Sequence, residues 1–226
     1  MQYPTHYLDW LLLLAGIFPS GLSYSLCYVF GADKPGFRQR WPFFALMLAP
    51  FIGLVLVLSA VKPDLLEMQT VPSFAVLVGL AAIPLAGAVE YGVGALPALV
   101  RAGPRPLGGV VLHQFWAGPL SPSQCAALVG IPIGEEFIFR KVDFHLLLGP
   151  SFSAPVWVVI LVTSTLYALN HLSFGPVVAG SKLASGIVYG VAYLVAGSLV
   201  APIIGHIGYN WGLIALLSRP RAHRTA

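Results

Sequence analysis

The sequence predicts an all-α fold, a polytopic integral membrane bundle of about seven transmembrane helices, and three observations predict it. Of the 226 residues, 58% are hydrophobic and only 9% are charged. A soluble domain carries about 25% charged residues, so this chain lacks the polar side chains to cover a globular surface in water. The mean hydropathy of +0.84 says the same. The apolar residues fall into runs of about 20, the length of a spanning helix. At that length the chain has room for about six to eight crossings and for no separate soluble domain.

In chain order the apolar runs are Leu8 to Phe30, Trp41 to Val61, Pro72 to Val93, Cys125 to Leu148, Val156 to Leu172, Leu183 to Val195 and Leu199 to Leu217. Pro, Gly and charged residues separate them. The first run has neither a basic segment before it nor an A-x-A-like cleavage site after it, and it reads as a retained helix. Pro19, Pro50, Pro84 and Pro202 are expected to kink helices, since neighbouring helices and water satisfy the freed backbone groups. Ala196-Gly197-Ser198 is either a tight turn or a kink. The connection Gly94 to Gln124 contains Pro97, Pro104, Pro106, Pro119 and Pro122. Its apolar piece Val110 to Trp116 could lie in the headgroup region as a lid, but a plain loop is preferred. Residues 1–226 are thus one membrane domain. Three N-terminal helices and an interfacial loop occupy 1–124, and a four-helix catalytic core occupies 125–217.

The net charge of +4 comes from twelve basic residues dispersed over loops and termini, with no basic run that would mark a nucleic-acid partner. Topology explains them better. Lys34, Arg38, Arg40, Arg101, Arg105, Lys182, Arg219, Arg221 and Arg224 fall on one side of a seven-span chain, whereas the loop after span two holds only Lys62, beside Asp64 and Glu67. The positive-inside bias then puts the N-terminus outside and the C-terminus in the cytoplasm, with a bacterial or archaeal cytoplasmic membrane as the expected location. Cys27 and Cys125 lie in or beside apolar runs and read as packing residues, and Trp10, Trp41, Trp116, Trp157 and Trp211 read as interface anchors.

Chemistry is sought in the polar residues that interrupt apolar helices, because an ionisable group facing lipid at the bilayer centre costs about 2.5–3.5 kcal/mol. The densest group is Gly134-Glu135-Glu136-Phe137-Ile138-Phe139-Arg140. Glu136 and Arg140 are i and i+4, so they share a face and can pair, with Asp143 a turn further on. Glu135 is offset by about 100°. The register therefore assigns one carboxylate to the ion pair and turns its neighbour to a different face, where it can act as general base or acid. An ion-pair cluster that only joins helices is the alternative, and a second Glu in the same turn argues against it. Span five ends in Tyr167-Ala168-Leu169-Asn170-His171, and span seven contains His206-Ile207-Gly208-Tyr209-Asn210. Each places two polar side chains on one face. Together these groups supply a base, a second proton handler and neutral donors, the requirements for water attack on a carbonyl.

In this order and spacing the residues resemble the intramembrane CAAX prenyl protease and bacteriocin-processing family, also called the abortive-infection family. The matching motifs are Glu135-Glu136-x-x-x-Arg140, Tyr167-x-x-x-His171 and His206-x-x-x-Asn210, with Gly197-Ser198-Leu199-x-x-Pro202-Ile203 approaching the last. The resemblance covers Cys125 to Leu217. It implies that Glu135, assisted by His171, activates a water, that His206 and Asn210 hold the oxyanion, and that Glu136 and Arg140 orient Glu135. Tyr167 stands where the family usually has Phe, and Lys141 where a small residue is common.

No cofactor is expected. A zinc held by Glu135, His171 and His206 is geometrically conceivable, but the His-Glu-x-x-His pattern is absent and metal-independent chemistry is preferred. Glu90, in span three, either lines the substrate cavity with Tyr167 or accepts a hydrogen bond from a neighbouring helix. The resulting expectation is an intramembrane peptidase acting on a lipophilic or lipid-modified peptide. Two alternatives stand beside it: an isomerase or cyclase for a small lipophilic molecule, and a non-enzymatic immunity or scaffold protein. One depth mismatch needs resolving, because Glu135 lies about 15 Å into span four while His171 ends span five. An irregular segment from Ser173 to Gly180, dipping into the membrane, would bring them together.

Overall fold

A computed structural model describes residues 3–15, 19–31, 36–67, 70–102 and 120–217, all of it helix, turn or extended connection without strands. The proposed interfacial piece Val110 to Trp116 lies outside the described residues. The helices are α1 (Tyr3–Ala15), α2 (Pro19–Phe30), α3 (Trp41–Val61), α4 (Ala75–Ala102), α5 (Pro122–Glu136), α6 (Asp143–Leu148), α7 (Val156–Asn170), α8 (Pro176–Ala196) and α9 (Val200–Leu217). Three stretches are long and apolar enough to cross a membrane: Trp41–Val61, Ala75–Leu96 and Pro176–Ala196. Together with the bundle's exposed Leu, Val and Trp side chains, they are those of an integral membrane protein.

Local chemistry sets several boundaries. Within the first expected span the described residues form α1 and α2. α5 starts on a capping box: Ser121 Oγ accepts from the Gln124 amide, and Gln124 Oε1 accepts from the Ser121 amide at 2.9 Å. Pro50 is carried inside α3 and Pro132 inside α5. Between α8 and α9 the chain makes a turn at Gly197, which resolves the alternative of a kink. Between α7 and α8 a short 3-10 turn, Leu172–Phe174, leads to Gly175 at φ 104°, a backbone conformation that favours glycine. Helix resumes at Pro176, so the irregular stretch is confined to 171–175, and residues 176–180, expected to be irregular, are the first turn of α8. Lys182 is accordingly not a loop charge. It sits in the second turn of a spanning helix.

α5 and α6 are joined without interruption by a π-helical turn, Phe137–Val142. Ile138, Phe139, Arg140, Lys141, Val142, Asp143 and Phe144 are buried one after another, so this segment is covered on all sides instead of along one stripe. Around it, α7 packs on α8, α4 on α8 and α9, α5 on α9, and α3 on α2 and α5. At one end of the bundle Asp9 of α1 pairs with Lys62 after α3 and accepts from the Ser151 hydroxyl, tying α1 to the α6–α7 connection.

The α4–α8–α9 layer is built from small residues. Ala75, Ala82, Ala192, Ala196 and Ala201 form its core, and a Cβ at Gly79 would lie 2.7 Å from the Ala201 carbonyl oxygen and 2.8 Å from Ile204 Cβ. Close backbone approach through small residues is the usual way helices associate where lipid removes the hydrophobic driving force. Gly79→Ala is expected to lower stability by about 1–3 kcal/mol through overpacking. Gly92→Ala on the same helix meets nothing within 4 Å and should be neutral or stabilising. Thermal unfolding of the two variants in detergent checks the pair, and equal melting temperatures would contradict the tight α4–α9 crossing.

Candidate active site

The segment that carries the two glutamates is the buried middle of the bundle. Glu136 is fully buried, and its carboxylate has two partners: Arg140 Nε at 3.3 Å from Oε2, and His206 Nδ1 at 2.8 Å from Oε1. The arginine contact is an ion pair without hydrogen-bond alignment. The guanidinium also donates from Nη2 to the Gly186 carbonyl of α8 at 3.0 Å and lies over the Tyr167 ring, 5.8 Å from its centroid. The helical-register pairing of Glu136 with Arg140 is present, and His206 is a partner that register could not supply. Asp143 does not join this pair; it is fully buried, and neither of its oxygens has a hydrogen-bond partner among the described residues.

Glu135, also buried, faces both histidines. Oε1 is 3.7 Å from His171 Nε2 and Oε2 is 3.8 Å from His206 Nε2. His171 closes α7, where its Nδ1 meets the Tyr167 carbonyl oxygen at 2.8 Å. A carbonyl only accepts, so Nδ1 carries the proton and, in the neutral ring, Nε2 presents a lone pair toward Glu135. The ring of Tyr167 packs edge-on against His171 with centroids 4.7 Å apart, and its hydroxyl is 3.3 Å from His206 Nε2. On the other side of His206, Tyr189 of α8 stacks at 4.9 Å.

Four of the residues singled out by sequence, Glu135, Glu136, His171 and His206, therefore meet across α5, α7 and α9, with Arg140 and Tyr167 in the same cluster. Asn210 follows His206 by one turn on α9, partly buried, and makes no hydrogen bond to the cluster among the described residues. Glu90 belongs to a second polar group: its Oε1 is 2.7 Å from Lys182 Nζ and its Oε2 accepts from the Tyr209 hydroxyl at 2.8 Å. Lys182, Tyr189 and Tyr209 escaped sequence reasoning. The usable signal was spacing, because Lys182, Ser185 and Tyr189 recur at helical intervals on one face of α8. Among the described residues no group of three His, Cys, Asp or Glu side chains is arranged to hold a metal ion.

Removing one partner of a buried ion pair strands the other charge, which typically costs about 3–5 kcal/mol. Arg140→Met should therefore unfold or strongly destabilise the protein. Arg140→Lys should fail to restore it, because an ammonium cannot reach Glu136 and the Gly186 carbonyl together with a planar fork. Melting temperatures in detergent decide, and a wild-type value for Arg140→Lys would remove the two-point role.

Residues 119–212 match the family described as type II CAAX prenyl endopeptidase Rce1-like. No curated protein and no solved structure matches the chain. The matched stretch begins just before the capping box of α5 and ends within α9, so it contains both glutamates, both histidines and Arg140. Over that stretch the chain is similar to the CAAX prenyl endopeptidase family.

Proposed function

We propose that the protein is an intramembrane peptidase that hydrolyses a peptide bond in a lipophilic or lipid-modified peptide, using a water activated by Glu135 and His171. The observation that carries this reading is the pair of separations around Glu135. At 3.7 and 3.8 Å they exceed a direct hydrogen bond and suit a water shared between the carboxylate and an imidazole. His171, with its proton on Nδ1, offers Nε2 as the acceptor for one water proton, and Glu135 accepts the other. As the water oxygen adds to the carbonyl carbon, the proton it loses passes to Glu135, which returns it to the departing amine nitrogen as the C–N bond breaks. His206 and Asn210 on α9 would face the oxyanion. His206 donates from Nε2 only when its ring carries both protons, since Nδ1 is directed at Glu136.

The same reading keeps the seven-span topology, with α1 and α2 together forming the first crossing, the N-terminus outside and the C-terminus cytoplasmic. Moving Lys182 into the membrane leaves the other basic residues on the cytoplasmic side, so the positive-inside assignment stands without it.

Glu135→Gln and His171→Ala should each lower turnover by about 10²–10⁴-fold with unchanged melting temperature, and a strong chelator should leave wild-type turnover intact. The measurement is cleavage of a farnesylated CaaX peptide and of bacterial precursor peptides by purified protein in detergent. Wild-type levels in either variant would overturn the assignment, and loss on chelation would replace it with a metal site.

A further inference from the structure

Among the described residues, Lys182 and Glu90 form a buried charge pair outside the Glu135 cluster whose groups the mechanism does not use. Lys182 is 87% shielded as a side chain, with 13% of its surface still open, and an ammonium carries three N–H groups. Among the described residues its one hydrogen bond goes to Glu90. Its charge lies 5.4 Å from the centroid of the Tyr209 ring. Glu90 is in turn fixed from its other oxygen by the Tyr209 hydroxyl. The ammonium is thus held in place by α4 and α9, with donors to spare.

The location joins this group to the cluster around Glu135. Tyr209 is one turn from His206 on α9, and Tyr189, two turns from Lys182 on the same face of α8, stacks on the His206 ring. An ammonium with unused N–H donors beside a site proposed to accept an apolar peptide can receive the anion that peptide brings, and a peptide of apolar residues has one, its terminal carboxylate. Charge-assisted hydrogen bonds of this kind are the strong ones. Lys182 lies within the helix layer, shielded on most sides, so a carboxylate at the end of a slender chain fits it better than a lipid phosphate does.

We propose that Lys182, held by Glu90 and Tyr209, is an anion subsite that receives the free terminal carboxylate of the peptide cleaved at Glu135. This rests on the peptidase reading above, and binding, not turnover, tests it, so failure of one is distinguishable from failure of the other. The probe is a fluorescently labelled farnesylated peptide, prepared as the free acid and as its terminal amide, titrated against full-length Glu135→Gln protein in neutral detergent. The acid should bind about tenfold more tightly than the amide, and Lys182→Met should bring the acid to the amide's affinity while leaving the amide unchanged. Where that variant fails to fold, the Glu90→Gln/Lys182→Gln double variant removes both charges together and should also erase the preference. Equal binding of acid and amide by the parent protein, or a preference that survives loss of Lys182, overturns the subsite. Micelles doped with phosphatidylglycerol provide the remaining arm: competition that displaces the acid and spares the amide would assign the cation to lipid phosphate and overturn the peptide carboxylate.

Discussion

A carboxylate with no exposure to solvent must be met by opposite charge or donors, or it will not remain ionised inside a bundle, and Glu136 is where this constraint acts hardest. Desolvating such an ion costs several kcal/mol even after relaxation. Its two oxygens are taken by Arg140 from the next turn and by His206 from α9. Arg140 in turn extends to a backbone carbonyl of α8. One side chain therefore sets the rotational positions of α5, α8 and α9 relative to each other. The position of Glu135 follows, because it is the adjacent residue and its direction is fixed once Glu136 is fixed.

The π-helical turn belongs to the same constraint. A regular helix presents one stripe to its neighbours, whereas the run from Ile138 to Phe144 is buried on every side and takes Arg140, Lys141 and Asp143 inside with the apolar residues. Widened turns of this type recur at functional sites, where they re-aim side chains without breaking the helix. Here the widened winding begins directly after the two glutamates and ends at Asp143. Three ionisable residues are buried within seven, and the desolvation cost is borne at the point where the cluster is assembled.

Much of the fold and the site could be read from local spacing, and what could not is long-range. The pairing of Glu136 with Arg140 is an i, i+4 relation, and the shared face of Tyr167 and His171 is another, so the register of a single helix contains both. The meeting of Glu136 with His206 spans 70 positions and that of Lys182 with Glu90 spans 92. No periodicity encodes either. Lys182 reads as a loop residue for that reason: a lysine in an apolar run looks like an interruption until its carboxylate partner is known, and Glu90 lies on α4, with three helices between them in the chain. The start of α8 was misplaced by the same residue.

The depth mismatch between Glu135 and His171 has a geometric resolution. α7 has 15 residues and is about 22 Å long, against about 30 Å for the hydrocarbon core, so it ends inside the membrane if Val156 starts at the opposite interface. Exposed Trp157 marks that start as an interface anchor marks one. His171 is the cap of the shortened helix, and the chain reverses through Gly175 into α8 at the same level. Irregular backbone is tolerated there only if it is buried in protein or faces water, and Leu172 and Ser173 are exposed. A hydrolytic site within a bilayer needs both a base and a supply of water. A helix that stops short delivers the histidine to the base and leaves the turn after it exposed, so on the peptidase reading proposed above one feature of the backbone would meet both needs.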